Sequence, residues 1–115
     1  MRRVVFVDDA PEVLQHLRRM LAPMQSEWEM QFFASAPPAL AAIRETPCDV
    51  VVSDMTMPEM DGARFLAEVR AVCPQTIRII LSGDQSPYNY VRSASVAHRF
   101  LQKPFDITTL KSIAM

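Results

Sequence analysis

Four apolar residues in unbroken succession, Val4-Val5-Phe6-Val7, run straight into a pair of carboxylates, Asp8-Asp9. The run is too short for a buried helix and carries no polar alternation, so it reads as a strand covered on both faces. A strand of that kind sits inside a parallel sheet with helices on either side. The next residues supply such a helix. Pro11 stands at a first helical position, and Val13, Leu14, Leu17, Met20 and Leu21 recur at three- and four-residue spacing until Pro23 stops the pattern.

The same alternation continues along the chain. Trp28, Met30 and Phe32 alternate with Glu29 and Gln31, which predicts a less buried strand at the sheet edge, with Trp28 only partly covered. After Pro37-Pro38, a short second helix carries Leu40, Ala41 and Ile43 and ends before Pro47. Asp49 to Ser53 form a third strand, β-branched at its centre, that stops at Asp54. A loop from Met55 to Gly62 precedes a third helix marked by Phe65, Leu66, Val69 and Val72. Ile77 to Leu81 are the fourth strand, ended by Ser82-Gly83-Asp84, and Tyr88, Val91 and Ala94 mark a weakly amphipathic fourth helix. His98 to Leu101 are the fifth strand, ended by Gln102-Lys103-Pro104, and Asp106 caps a last helix with Ile107, Leu110 and Ile113.

Strands alternating with helices require right-handed crossovers between parallel strands, hence an α/β, doubly wound, five-stranded parallel sheet with helices on both faces. The 115 residues, half of them apolar, fill one such domain spanning 1–115 and leave no room for a second. The last helix has only about two and a half turns before the chain stops, so it reads as truncated and the domain as part of a longer protein.

Composition narrows the functional classes. A net charge of -1 without a basic run beyond Arg2-Arg3 gives no footprint for direct nucleic-acid or anionic-lipid binding. No stretch approaches membrane-spanning length and no signal-peptide core is present, so the expected location is cytoplasmic. Cys48 and Cys73 lie far apart in sequence without zinc-ligand spacing and read as core or near-surface thiols. With only Gly62 and Gly83 available, the turns needing positive backbone dihedrals are expected there. His16 and His98 lie away from the strand ends and read as structural.

In such sheets, ligands bind outside the carboxyl ends of the strands, where strand order reverses. The residues at those ends are Asp8 and Asp9, Asp54, Ser82 and Lys103. Singly, each is an ordinary cap or turn residue. Together they form a chemical set. Three carboxylates converging on one edge repel one another unless a cation lies between them, and hard oxygen donors favour magnesium. Asp54 can then attack phosphorus as a carboxylate nucleophile, while the metal and the Lys103 ammonium neutralise the phosphoryl oxygens and Ser82 donates a hydrogen bond.

Asp8-Asp9, the run Asp54-Met55-Thr56-Met57-Pro58-Glu59-Met60-Asp61-Gly62, Leu81-Ser82-Gly83 and Lys103-Pro104-Phe105 together resemble the receiver domains of bacterial response regulators. The resemblance spans essentially the whole chain. It implies a flavodoxin-like fold with strand order 2-1-3-4-5 and a phosphoryl group taken from a sensor histidine kinase onto Asp54. It further implies Mg2+ held by the side chains of Asp9 and Asp54 and the Thr56 carbonyl, with Asp8 acting mostly through water. Ser82 and Phe100 match the switch positions, whose readout is the surface of helix four, strand five and helix five, facing a C-terminal output domain or partner protein. A homodimer through that face is a family expectation, and the His98 to Pro104 stretch is similar to receivers with phosphodiesterase-like outputs. The domain is then not an enzyme beyond catalysing its own phosphorylation and dephosphorylation. Ser82 stands where threonine is commoner and keeps the hydroxyl; Thr56 stands where Asn or Asp is often found.

Competing classes lack their marks. A haloacid-dehalogenase-type nucleophile at Asp8 resembles Asp-x-Asp, but Ala10 occupies the second acidic position. A pseudo-receiver would not need the intact acidic pair, acceptor, hydroxyl and lysine. A dinucleotide-binding domain would need G-x-G-x-x-G where Asp-Asp-Ala-Pro follows the first strand.

Overall fold

The computed structural model describes residues 2–82 and 94–102, apart from the side chains of Ser82 and Gln102. The elements are β1 (Arg2–Val7), α1 (Pro11–Met20), a short 3-10 turn (Ala22–Met24), β2 (Trp28–Phe33) and α2 (Ala36–Glu45). They continue with β3 (Val50–Asp54), α3 (Gly62–Val72), β4 (Ile77–Ser82) and β5 (Arg99–Gln102). The strands join in a parallel five-stranded sheet of order β2-β1-β3-β4-β5, the flavodoxin-like order that the resemblance implies. The fourth and fifth helices expected from the sequence, with Gly83, Lys103 and Pro104, lie outside the described residues.

Strand parity divides the core in two. Val5, Val7, Val51 and Ile80 point to one face and pack under α2 and α3, through Leu40, Ile43, Phe65, Leu66 and Val69. Val4, Phe6, Val50, Val52, Ile79 and Leu81 point to the other and meet Leu14 and Leu17 of α1. Both faces of β1 and β3 are therefore buried, as their unbroken apolar runs require. Full burial of a side chain such as Phe65 or Leu66 contributes roughly 1.5–3 kcal/mol.

β2 lies at the sheet edge and is less buried than β1, as its alternation predicts, but Trp28 departs from expectation. Trp28 is only 2% exposed, because the turn at Ala22–Met24 brings Leu21 and Met24 into the same cluster with it. Pro23 does not simply stop α1; the chain tightens into that turn. Further along β2, Phe32 stacks on Phe6 with ring centroids 4.9 Å apart, and the Arg18 guanidinium lies 4.7 Å above the Phe32 ring. β5 begins one residue later than the apolar pattern places it.

Arg78 breaks the apolar pattern of β4 and is nevertheless only 6% exposed. Its Nε donates to the Val96 carbonyl at 2.7 Å, and its Nη1 donates to the carbonyls of Pro74 and Thr76 at 3.2 Å each. Arg70 of α3 donates to the neighbouring Ser95 carbonyl at 2.9 Å. Two arginines thus hold the turn that feeds β5. His98 is exposed and structural: its Nδ1 accepts from the Arg78 N–H at 2.9 Å, and its own N–H donates to the Arg78 carbonyl at 2.7 Å.

Candidate functional site

Because β1 is flanked by β2 on one side and β3 on the other, the chain reverses its direction of sheet growth between β1 and β3. Sheets of this class bind ligands outside the carboxyl ends of the strands at such a reversal. Three carboxylates lie there. Asp8 and Asp9 follow β1 directly, and Asp54 is the last residue of β3. One carboxylate oxygen from each lies within 4.8 Å of the others. Asp8 is buried, Asp54 half-buried and Asp9 exposed, so the cluster grades from the core outward to solvent.

Local structure fixes each member. The Asp8 N–H donates to the Phe33 carbonyl at 3.0 Å, and Asp8 Oδ1 accepts the Ala10 N–H at 2.9 Å, steering the chain from β1 into α1. The buried Ser53 hydroxyl donates to the Asp54 carbonyl at 2.9 Å. The loop after Asp54 returns tightly: the Gly62 N–H donates to the Met55 carbonyl at 2.7 Å, and Asp61 caps α3 by accepting the Arg64 N–H at 2.9 Å.

Gly62 is required for a reason other than a left-handed turn. A Cβ there would meet the Asp54 carbonyl oxygen at 2.3 Å and Met55 Cα at 2.9 Å, both backbone atoms. Among the described residues the positive dihedral falls instead on Glu59, with φ 70°, a strained state for a residue with a side chain. Met57 is buried in the core and Met60 packs against it, which anchors the loop below its exposed residues.

The donor set suits a hard divalent cation. Three carboxylates gathered within a few ångströms, one of them open to solvent, supply oxygen ligands and leave room for water or a phosphoryl oxygen. Thr56 is exposed two residues beyond Asp54. Phe100 of β5 is half-buried, pairs with Ile80 in register and packs against the core under α2 and α3. Ser82 ends β4 and pairs with Gln102 at the same carboxyl edge; its side chain, and Lys103 as a whole, lie outside the described residues. The structure therefore brings together Asp8, Asp9 and Asp54 from the expected set.

A family model for the response regulator receiver domain matches residues 4–114. The chain belongs to this family. This receiver is 31% identical over 110 residues to the chemotaxis protein CheY of Listeria monocytogenes, covering 91% of this chain and 88% of CheY. It is also 31% identical over 104 residues to the hydrogenase transcriptional regulatory protein HoxA of Cupriavidus necator, covering 89% of this chain but only 21% of HoxA. The receiver thus spans about a fifth of that regulator. Among solved structures, the signal receiver domain of an HD domain-containing protein from Pseudomonas fluorescens superposes with a TM-score of 0.88 at 30% identity, covering 98% of this chain and 90% of the other. No helix among the described residues is long and apolar enough to cross a membrane.

Proposed function

We propose that this receiver accepts a phosphoryl group on Asp54 from the phosphohistidine of a sensor kinase. The observation that carries the reading is the gathering of Asp8, Asp9 and Asp54 within 4.8 Å at the carboxyl ends of β1 and β3, in a chain of this family. In the transfer, an Asp54 carboxylate oxygen forms the new P–O bond as the P–N bond to the kinase histidine breaks, and the imidazole leaves with the electron pair.

Asp9 and Asp54 would hold Mg2+ with the Thr56 carbonyl, and Asp8 would contact it through water; bound there, the ion neutralises charge on the phosphoryl oxygens. Asp8 is held in place by its bonds to the Ala10 N–H and the Phe33 carbonyl. Lys103 balances the transferred group from the end of β5, and Ser82 donates to it. Drawing Ser82 toward the new charge frees space for Phe100 to turn inward, which changes the surface around β5.

That surface would address a C-terminal output domain or partner protein, with homodimerisation as one form of the readout. The short span relative to HoxA supports a place for residues 1–115 as the receiver of a longer cytoplasmic regulator. The likeness to a receiver from an HD domain-containing protein favours a phosphodiesterase-like output. The domain itself acts as a signalling element and catalyses only its own phosphorylation and dephosphorylation. Intact mass after incubation with Mg2+ and acetyl phosphate tests the reading: one phosphoryl adduct is expected on the wild type and none without the metal. A wild type that binds Mg2+ and takes up no phosphoryl group would overturn it.

A further inference from the structure

At the amino end of the sheet, opposite the acidic cluster, the two cysteines line one groove. Cys48 stands in the link between α2 and β3 and is buried; Cys73 caps the carboxyl end of α3 and is partly exposed. Both line the same cavity of about 470 Å³, together with Pro47, Pro74 and Thr76. Thr76 ties the two segments directly. Its hydroxyl donates to the Cys48 carbonyl at 2.7 Å, and its N–H donates to the Cys73 carbonyl at 3.1 Å. Cys48 belongs to the core cluster under α2 and α3, and Cys73 packs against that same cluster.

We infer that Cys48 and Cys73 form a two-cysteine redox site, whose thiols join in an intramolecular disulfide when hydrogen peroxide is the oxidant. Exposure sets the order of events. Cys73 is the less buried of the two, so its sulfur is the one that attacks the peroxide; the O–O bond breaks, and a sulfenic acid and one water result. The Cys48 sulfur then displaces the sulfenic hydroxyl, which leaves with the Cys48 proton as a second water while the S–S bond forms. Two thiols are oxidised and one peroxide is reduced to two waters.

Burial, the largest cause, pushes the Cys48 thiol up to about 11, and the nearby Cys73 pushes it the same way against a lowering hydrogen bond from Thr76. Cys48 is therefore almost wholly protonated near neutral pH and slow to meet peroxide itself, which leaves Cys73 to react first and Cys48 to resolve the sulfenic acid through its small thiolate fraction. The bridge would close the segment from Cys48 to Cys73 into a ring that carries β3, Asp54 and α3. The strand bearing the acceptor would thus be pinned at its far end.

Peroxide treatment of the purified protein, followed by denaturation in N-ethylmaleimide and mass analysis, tests the site. The expected product is lighter by two hydrogens, takes no maleimide, and on digestion yields one linked peptide pair containing Cys48 and Cys73. Its yield is unchanged on dilution, dithiothreitol reverses it, and its melting temperature is several degrees higher. The Cys73→Ser variant, altered at a partly exposed helix end, should keep one alkylatable thiol after peroxide. The peptide map of the unsubstituted protein needs no variant to fold. Two maleimide labels after peroxide, bridges only between molecules, or oxygen added to Cys73 with Cys48 still alkylated would each overturn the inference.

Discussion

The two ends of the sheet treat polar groups in opposite ways. At the amino end, Arg78, Thr76 and His98 are joined to carbonyls and to one another, and the Arg78 guanidinium alone meets three carbonyl oxygens. At the carboxyl end, three carboxylates are brought within 4.8 Å. Like charges held that close oppose folding unless something of opposite charge joins them. One end closes the fold, and the other gathers the carboxylates that the proposed phosphoryl transfer would use. Substitutions at the two ends should separate accordingly, with stability lost at one and chemistry at the other.

The largest expected effect is all-or-none. Asp54→Ala should abolish uptake of a phosphoryl group from acetyl phosphate, read as intact mass, with a melting temperature close to that of the wild type. A large fall in stability instead would erase the contrast between the ends. Next comes Arg78→Ala at the other end, which strips the donors from the Val96, Pro74 and Thr76 carbonyls. It should cost about 2–4 kcal/mol in denaturant unfolding, yet leave phosphorylation intact where the variant is folded.

Gly62→Ala tests where the two properties meet, since the added carbon must displace the Asp54 carbonyl or Met55 backbone. A loss of about 1–3 kcal/mol is expected together with slower phosphorylation. Asp9→Ala should weaken Mg2+ binding by about tenfold or more in calorimetric titration. In metal-free buffer the same variant should be as stable as the wild type or more so, because a like charge has gone.

The smallest effect concerns pH. Partial desolvation of its ring, then the charges of Arg78 and Arg99, holds the otherwise exposed His98 below its usual value of 6.5. The unfolded chain therefore takes up the proton first as pH falls. The stability contributed by neutral His98 is fully present above about pH 6.5 and is lost as pH drops through that value toward the folded pKa. His98→Gln should flatten this part of a melting-temperature profile, since Gln does not titrate.

Much of this contrast is legible in the amino-acid sequence. β1 and β3 are buried on both faces, so their apolar runs announce them without help from context, and the carboxylates at their ends fix the working edge. Trp28 is less legible, since alternation along β2 cannot foresee that the Ala22–Met24 turn brings Leu21 and Met24 against it. Arg78 is hidden for a similar reason: its partners are backbone carbonyls, which leave no mark in residue type. Gly62 stands out as a residue, but its reason is the approach of the Asp54 carbonyl, while the left-handed backbone falls on Glu59. A close approach is a property of three dimensions, and glycine content alone does not distinguish it from a turn.

Of the three clustered carboxylates, Asp54 is the one proposed to become phosphorylated. Borohydride reduces an aspartyl phosphate to homoserine and so marks the acceptor in a peptide map. After phosphorylation with acetyl phosphate and Mg2+, homoserine is predicted at position 54 alone; homoserine at position 8 or 9, or a stable phosphate on a hydroxyl with position 54 unchanged, would contradict the account.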